Sequence, residues 1–170
     1  MGYVSDKQIS LWIPPGVIGK TAGTWTPTLA SNVWSEVRSA ADASFSLAIP
    51  IQLFGNEAGL RGCKLESIDV YYAIGTAAAD DFAVVELEKM TLGADDTAIT
   101  GAAVTVTLDT GHDTAAERLA VDDDHVMTVT LSTPEWIDHD EVFVLTLTVD
   151  AAATTVFTLF GARANFQLEL

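Results

Sequence analysis

DDDHVMTVTLSTPEWIDHDEVFVLTLTVD, residues 122–150, holds two runs that alternate apolar and polar on either side of an acidic turn. Met127, Val129 and Leu131 share one parity against Thr128 and Thr130. In the second run Phe143, Leu145, Leu147 and Val149 oppose Val144, Thr146 and Thr148. A side-chain period of two belongs to a strand with one buried face, and threonine and valine suit a pleated surface. The stretch predicts two strands, with its acidic residues in the connections.

The same period recurs on both sides. In ASFSLAIPIQLF, residues 43–54, the core parity is Phe45, Leu47, Ile49, Ile51 and Leu53. Pro50 in this run has no N–H for a ladder, so the strand lies at an edge or carries a bulge. SIDVYYAIG buries Ile68, Val70, Tyr72 and Ile74. FAVVELEKM sets Ala83, Val85 and Leu87 against Phe82, Val84 and Glu86. AAVTVTLD turns Val104, Val106 and Leu108 inward, and after Gly161 the run ANFQLEL aligns Phe166, Leu168 and Leu170. Clusters of Gly, Asn and Asp separate these runs closely enough to favour an antiparallel sandwich over strands joined by crossover helices. The helix signal after residue 43 is TAAERLA, where Thr114 and Glu117 have capping-box spacing. The fold class read from the sequence is therefore all-β, an antiparallel, jelly-roll-like sandwich over residues 41–170.

Residues 1–40 read differently. LWIPPG and TWTPTLASN contain three of the chain's five prolines and two of its four tryptophans, with no sustained period. They are expected to form an extended N-terminal arm, closed by SNVWSEVRSAA as either a short helix or a strand.

The charge balance excludes several classes of partner. Twenty-four acidic residues face eight basic ones, for a formal charge of −16, and the basic residues are scattered singly. Nucleic-acid binding needs clustered Lys and Arg, and anionic lipid repels such a surface. No stretch approaches the length of an apolar membrane span, so neither nucleic acid nor membrane is an expected partner. MGYVSDKQIS lacks the basic start and apolar core of a secretion signal, which points to synthesis in a cytoplasm. The single cysteine, Cys63, reads as a small buried hydrophobe.

A solitary sandwich is polar outside, yet Phe82, Val84, Val142, Val144, Val156 and Phe160 lie opposite the core parity of their strands. With Trp12, Pro14, Pro15 and Trp25 of the arm they form the expected interface, covered within one subunit or by a neighbour. Burying one large apolar side chain is worth about 1.5–3 kcal/mol. A closed homo-oligomer, with a trimer favoured, would also protect sheet edges.

Signals for chemistry are weak. Asp109, His112, Asp113, the run 122–125 and residues 138–140, His139 among them, all read as turn residues, whose side chains cap backbone groups. Neither zinc spacing nor a twelve-residue calcium loop is present. The one metal to entertain is a calcium between acidic loops, held by Asp122, Asp124, Asp138 and Asp140. There is no nucleophile elbow and no phosphate-binding glycine loop; no catalytic residue and no cofactor is expected, and the chain reads as non-enzymatic. Saccharide binding is the alternative, through exposed aromatics among Trp12, Trp25, Trp34, Trp136, Tyr71 and Tyr72, with Trp136 in a strand connection.

The stretch from LESIDVYYAIGTAAADDFAVVEL through DTGHDTAAERLAVDDDHVMTVTL to the C-terminal FTLFGARANFQLEL resembles little-characterised structural proteins of tailed phages and environmental viruses. The resemblance covers most of residues 64–170. It implies a virion component assembled in a host cytoplasm: first a trimeric capsid decoration protein seated on the major capsid or other virion proteins, second a tail or fibre part.

Overall fold

A computed structural model describes residues 7–52, 63–93, 98–138 and 140–168. Leu53, His139 and Leu170 lie outside the described residues. The strands are β1 (Lys7–Ile13), β2 (Gly19–Lys20), β3 (Trp25–Ala30), β4 (Val33–Arg38), β5 (Ala43–Ile51), β6 (Cys63–Gly75), β7 (Asp81–Thr91), β8 (Thr100–Val104), β9 (Val106–Leu108), β10 (Asp122–Ile137), β11 (Glu141–Ala151) and β12 (Val156–Leu168). Among the described residues one α-helix, α1 (Ala115–Arg118), starts at the expected capping box: Glu117 N–H donates to Thr114 Oγ1, and Thr114 N–H donates to Glu117 Oε2 at 3.0 Å.

All the pairings are antiparallel and make two sheets, a larger one in the order β3-β4-β12-β6-β10-β9 with β1 also on β12, and a smaller one in the order β2-β5-β11-β7-β8. From β4 onward the chain changes sheet at every step except from β7 to β8 and from β9 to β10, and the late strands β11 and β12 slot between β5 and β7 and between β4 and β6. Nested returns of this kind are two Greek keys, the jelly-roll form of the sandwich. Val104 and Val106 face the same core although Thr105 between them is where the chain changes sheet.

The two inner faces meet in one core. Phe45, Leu47, Ile49 and Ile51 of β5, Ile68, Val70, Tyr72 and Ile74 of β6, Met127, Val129 and Leu131 of β10, and Phe143, Leu145, Leu147 and Val149 of β11 are all buried in it, on the parities read from the sequence. Pro50 is exposed, and β2 pairs β5 only at Leu47 and Ala48, so no described strand needs the missing N–H. Cys63 is buried, and burial pushes its thiol up to about 11, which leaves it unreactive.

Parity fails at bulges. Thr148 faces Val84 while Asp150 faces Asp81, so β7 carries one extra residue and its faces exchange there. Phe82 consequently points inward, fully buried against Tyr72 with ring centroids 5.7 Å apart, and is a core residue, not an interface one. β12 has its own extra residue, Phe160, between the pairs Leu159↔Tyr72 and Gly161↔Tyr71.

Residues 7–38 are extended as expected, yet they belong to the sandwich and do not form an arm reaching away from it. β1 pairs β12 from Lys7↔Leu168 to Ile13↔Ala162, and β4 pairs the other end of β12. In SNVWSEVR the strand is Val33–Arg38, entered by a tight hairpin whose turn residues Ser31 and Asn32 take φ of 50° and 65°. Lys20 ties the crossing to β2 in place, donating to the Pro15 and Ile18 carbonyls and pairing with Glu36 at 2.9 Å.

Candidate functional site

On the outer face of the larger sheet, the edge of β12 changes partner. β1 accompanies it as far as Ala162, β4 takes over at Leu159, and the bulge residues Phe160 and Gly161 fill the gap. A groove of about 640 Å³ opens there. Trp12, Pro14 and Pro15 line it from the end of β1, Asn32, Val33 and Trp34 from the hairpin tip, and Tyr71, Asp124, His125, Val126 and Phe160 from β6, β10 and β12. Trp12 is 51% exposed and Trp34 59%, while Trp12 and Tyr71 lie 5.5 Å apart with their rings tilted by 53°.

A glycine makes the groove possible. Gly161 has φ of +133°, and a Cβ there would lie 2.6 Å from the Ile13 carbonyl oxygen and 2.8 Å from Trp12 Cζ2. The indole rests on bare backbone, which only glycine permits.

Next to the aromatics the same face turns polar. Asp69 is buried to 6% exposure beneath a cluster of donors: Arg163 Nε and Nη2 at 3.0 and 2.8 Å, Asn165 Nδ2 at 3.1 Å and Thr128 Oγ1 at 2.8 Å. Burial alone would raise its pKa, but the bonds from Arg163, Asn165 and Thr128 outweigh it and hold the carboxyl below its ordinary range.

The groove gathers Trp12, Pro14, Pro15 and Phe160 of the expected interface with Trp34 and Tyr71 of the expected saccharide aromatics. The remaining candidates lie elsewhere. Trp25 packs on Phe45 and Phe157 at 5.5 and 6.2 Å and donates to the Ala22 carbonyl. Tyr72 is wholly buried. Trp136 lies within β10 opposite Lys64, whose ammonium sits 4.5 Å above its ring, and not in a connection. Val84 and Val144 are half-buried and Val142 is buried, all on the smaller sheet.

The expected calcium set does not converge. Asp122 and Asp124 begin β10 and Asp138 and Asp140 follow its end, and the paired length of β6, from Ile74 to Cys63, separates the two acidic pairs by roughly 35 Å. Among the described residues no group of three or more His, Cys, Asp or Glu is placed to hold a metal ion.

His112 and His125, read as turn residues, are buried. His112 Nδ1 meets Asp109 Oδ1 at 2.9 Å, His112 Nε2 meets His125 Nδ1 at 3.1 Å, and His125 Nε2 meets the Ala120 carbonyl at 3.0 Å. Both ends of this chain are acceptors, which makes the outer ring nitrogens, His112 Nδ1 and His125 Nε2, the donors. The His125 ring stacks on Tyr72 at 4.5 Å and the chain pins the 109–125 loop to the sheet.

Asp109 anchors the chain, also accepting from the Gly111 and Thr128 amides. Burial opposes its ionisation, but the bonds from His112, Thr128 and Gly111 win and its pKa is lowered. A carboxyl depressed on folding stabilises above its unfolded value, and that contribution is lost as pH falls through the folded one. Asp109→Asn is expected to lower Tm by a few degrees at neutral pH and to shallow the acid limb of a Tm–pH profile. An Asn variant that keeps the wild-type acid slope would contradict this.

No protein-family model matches the chain, and no curated protein matches it. Among solved structures, the enzymatically active domain of tailspike protein 4 of bacteriophage CBA120 is similar at 8% identity and a TM-score of 0.33, over 92% of this chain and 19% of that one. This chain thus spans about a fifth of that domain's length. The carbohydrate-binding module TmCBM61, solved with β-1,4-galactotriose, is similar at 6% identity and a TM-score of 0.33, over 96% of this chain and 88% of that one. At that TM-score neither likeness bears on what the groove holds.

Proposed function

We propose that the protein is a non-enzymatic attachment component of a virus particle, and that it holds a saccharide chain in the groove between β1 and the β3–β4 hairpin. The groove carries the reading: it combines exposed rings from Trp12 and Trp34 with Tyr71 and with the polar side chains of Asn32, Asp124 and His125. Aromatic faces stack on the C–H faces of sugar rings, and a few placed polar groups fix orientation. The virion setting rests on the sequence resemblance. Within that setting recognition, as in a tail or fibre part, moves ahead of capsid decoration, because decoration calls for outer faces closed by neighbours.

The test is affinity electrophoresis through gels containing soluble polysaccharides. Wild type is expected to be retarded by at least one neutral polysaccharide, and Trp12→Ala/Trp34→Ala to run as in an empty gel while keeping the β-sheet circular dichroism of the wild type. Equal mobility of the two proteins in every gel would overturn the reading.

A second reading is a subunit contact. Leu29 at 73% exposure and Val33 at 50% stand out on the hairpin beside the groove, more apolar surface than a projecting hairpin needs. Light scattering decides it: three times the chain mass, reduced to one by Leu29→Ser/Val33→Ser, would favour a trimer closed through this hairpin.

A further inference from the structure

We infer that the ligand chain runs beyond the groove onto the polar rows beside it, where Arg163 is a binding residue, and that it is a neutral pyranose polymer and not an acidic one. The inference rests on the saccharide reading above and adds its substrate class and second subsite.

The register supplies the track. Trp12 pairs with Arg163, Arg163 with Asp69 and Asp69 with Thr128, so one row crosses β1, β12, β6 and β10 directly from the groove wall. Two residues along, Ser10, Asn165, Ser67 and Thr130 form the next row, about 7 Å away. The rows are bonded together: Ser10 Oγ donates to Asn165 Oδ1 at 2.8 Å, and Asn165 Nδ2 donates to Ser67 Oγ and to Asp69 Oδ2, both at 3.1 Å.

The Asp69 side chain is 8% exposed and that of Arg163 47%, so the network satisfies a buried carboxylate while leaving the cation open to solvent. It also fixes a guanidinium. Nε and Nη2 of Arg163 are held by Asp69, the side chain is 47% exposed, and its carbon Cζ lies 5.9 Å from the Tyr71 ring centre. Nη1 donates to no acceptor among the described residues. An oriented donor continuous with the groove aromatics suits sugar hydroxyls, since its ordering cost is met before binding.

The charge decides the ligand class. The Arg163 cation is already neutralised by Asp69, Asp124 is the one charged residue lining the groove, and the chain carries −16. A uronate or sulfated polymer would be repelled.

Calorimetric titration of the full chain tests this, using neutral gluco- and galacto-configured oligosaccharides of two to six units and oligogalacturonates of the same lengths. Wild-type affinity for a neutral series is expected to rise about tenfold or more from the disaccharide to the longest member, equivalent to about 1.4 kcal/mol. Arg163→Gln, and Arg163→Lys, which keeps the charge but not the fork, should lose most of that gain while binding the disaccharide as wild type does. Retained disaccharide binding also shows that the variants are folded. A length gain unchanged in both variants, or a preference for oligogalacturonates, would overturn the inference while leaving the groove reading standing. No binding of any saccharide by wild type would sink both.

Discussion

Replacing Gly161 with alanine should cost about 3 kcal/mol of unfolding free energy, from backbone strain at positive φ and from overpacking. The added carbon meets the Ile13 carbonyl oxygen at 2.6 Å and Trp12 Cζ2 at 2.8 Å, with φ at +133°. The first of these contacts is backbone and cannot rotate away. For a domain of this size the loss lowers Tm by roughly 6–12 °C. Trp12 should also be displaced, seen as a red shift of emission that is absent in a Trp12→Phe background. Gly75→Ala is the control, because nothing lies within 4 Å of a Cβ there. Equal Tm values for the two variants would show that the β1–β12 contact at the bulge is not tight.

Tyr72→Ala should be costlier, about 4 kcal/mol, in the range for a large aromatic deleted from a core. Tyr72 lies between the rings of His125 at 4.5 Å and Phe157 at 5.3 Å, each within 6° of parallel, and its hydroxyl donates to the Arg118 carbonyl at 2.9 Å. Its loss removes a floor from both the core and the histidine chain. Tyr72→Phe keeps the stack and strands one carbonyl, so about 1–2 kcal/mol is expected. Burial drives the Tyr72 phenol far above the ordinary tyrosine value, so its tyrosinate absorbance should appear only as the protein unfolds in alkali. Denaturant unfolding of the two variants separates stack from hydroxyl, and equal losses would contradict the account.

The strands were legible wherever one face is buried and the register unbroken, as in β5 and β11, whose inward residues are those of the period-two reading. The reading failed where a bulge adds one residue and exchanges the faces, because nothing in a periodic pattern announces an extra residue. Phe82 is the clearest case, and Phe160 reaches the groove by the same device. Gly161 was visible as a break in the pattern, but not its role under an indole.

Residues 7–38 looked aperiodic for a physical reason. The β3–β4 hairpin pairs β12 through three residues only, so most of it has no buried face to impose a period. Ser31–Asn32, flanked by extended residues, carried the turn signal that could have revealed it. The aromatics of the groove could be named one at a time from the sequence; their convergence depends on pairings between β1, β6 and β12 that no local pattern encodes. His112 and His125, thirteen residues apart among aspartates, read as solvated turns because their contact is made by the loop closing on the sheet.

The most direct measurement is a glycan array probed with the labelled full-length chain and with Trp12→Ala/Trp34→Ala in parallel. Signal on neutral hexopyranose chains, lost in the double variant, is the expected result. An array without hits, or hits that survive removal of both indoles, would contradict the groove as the protein's binding site.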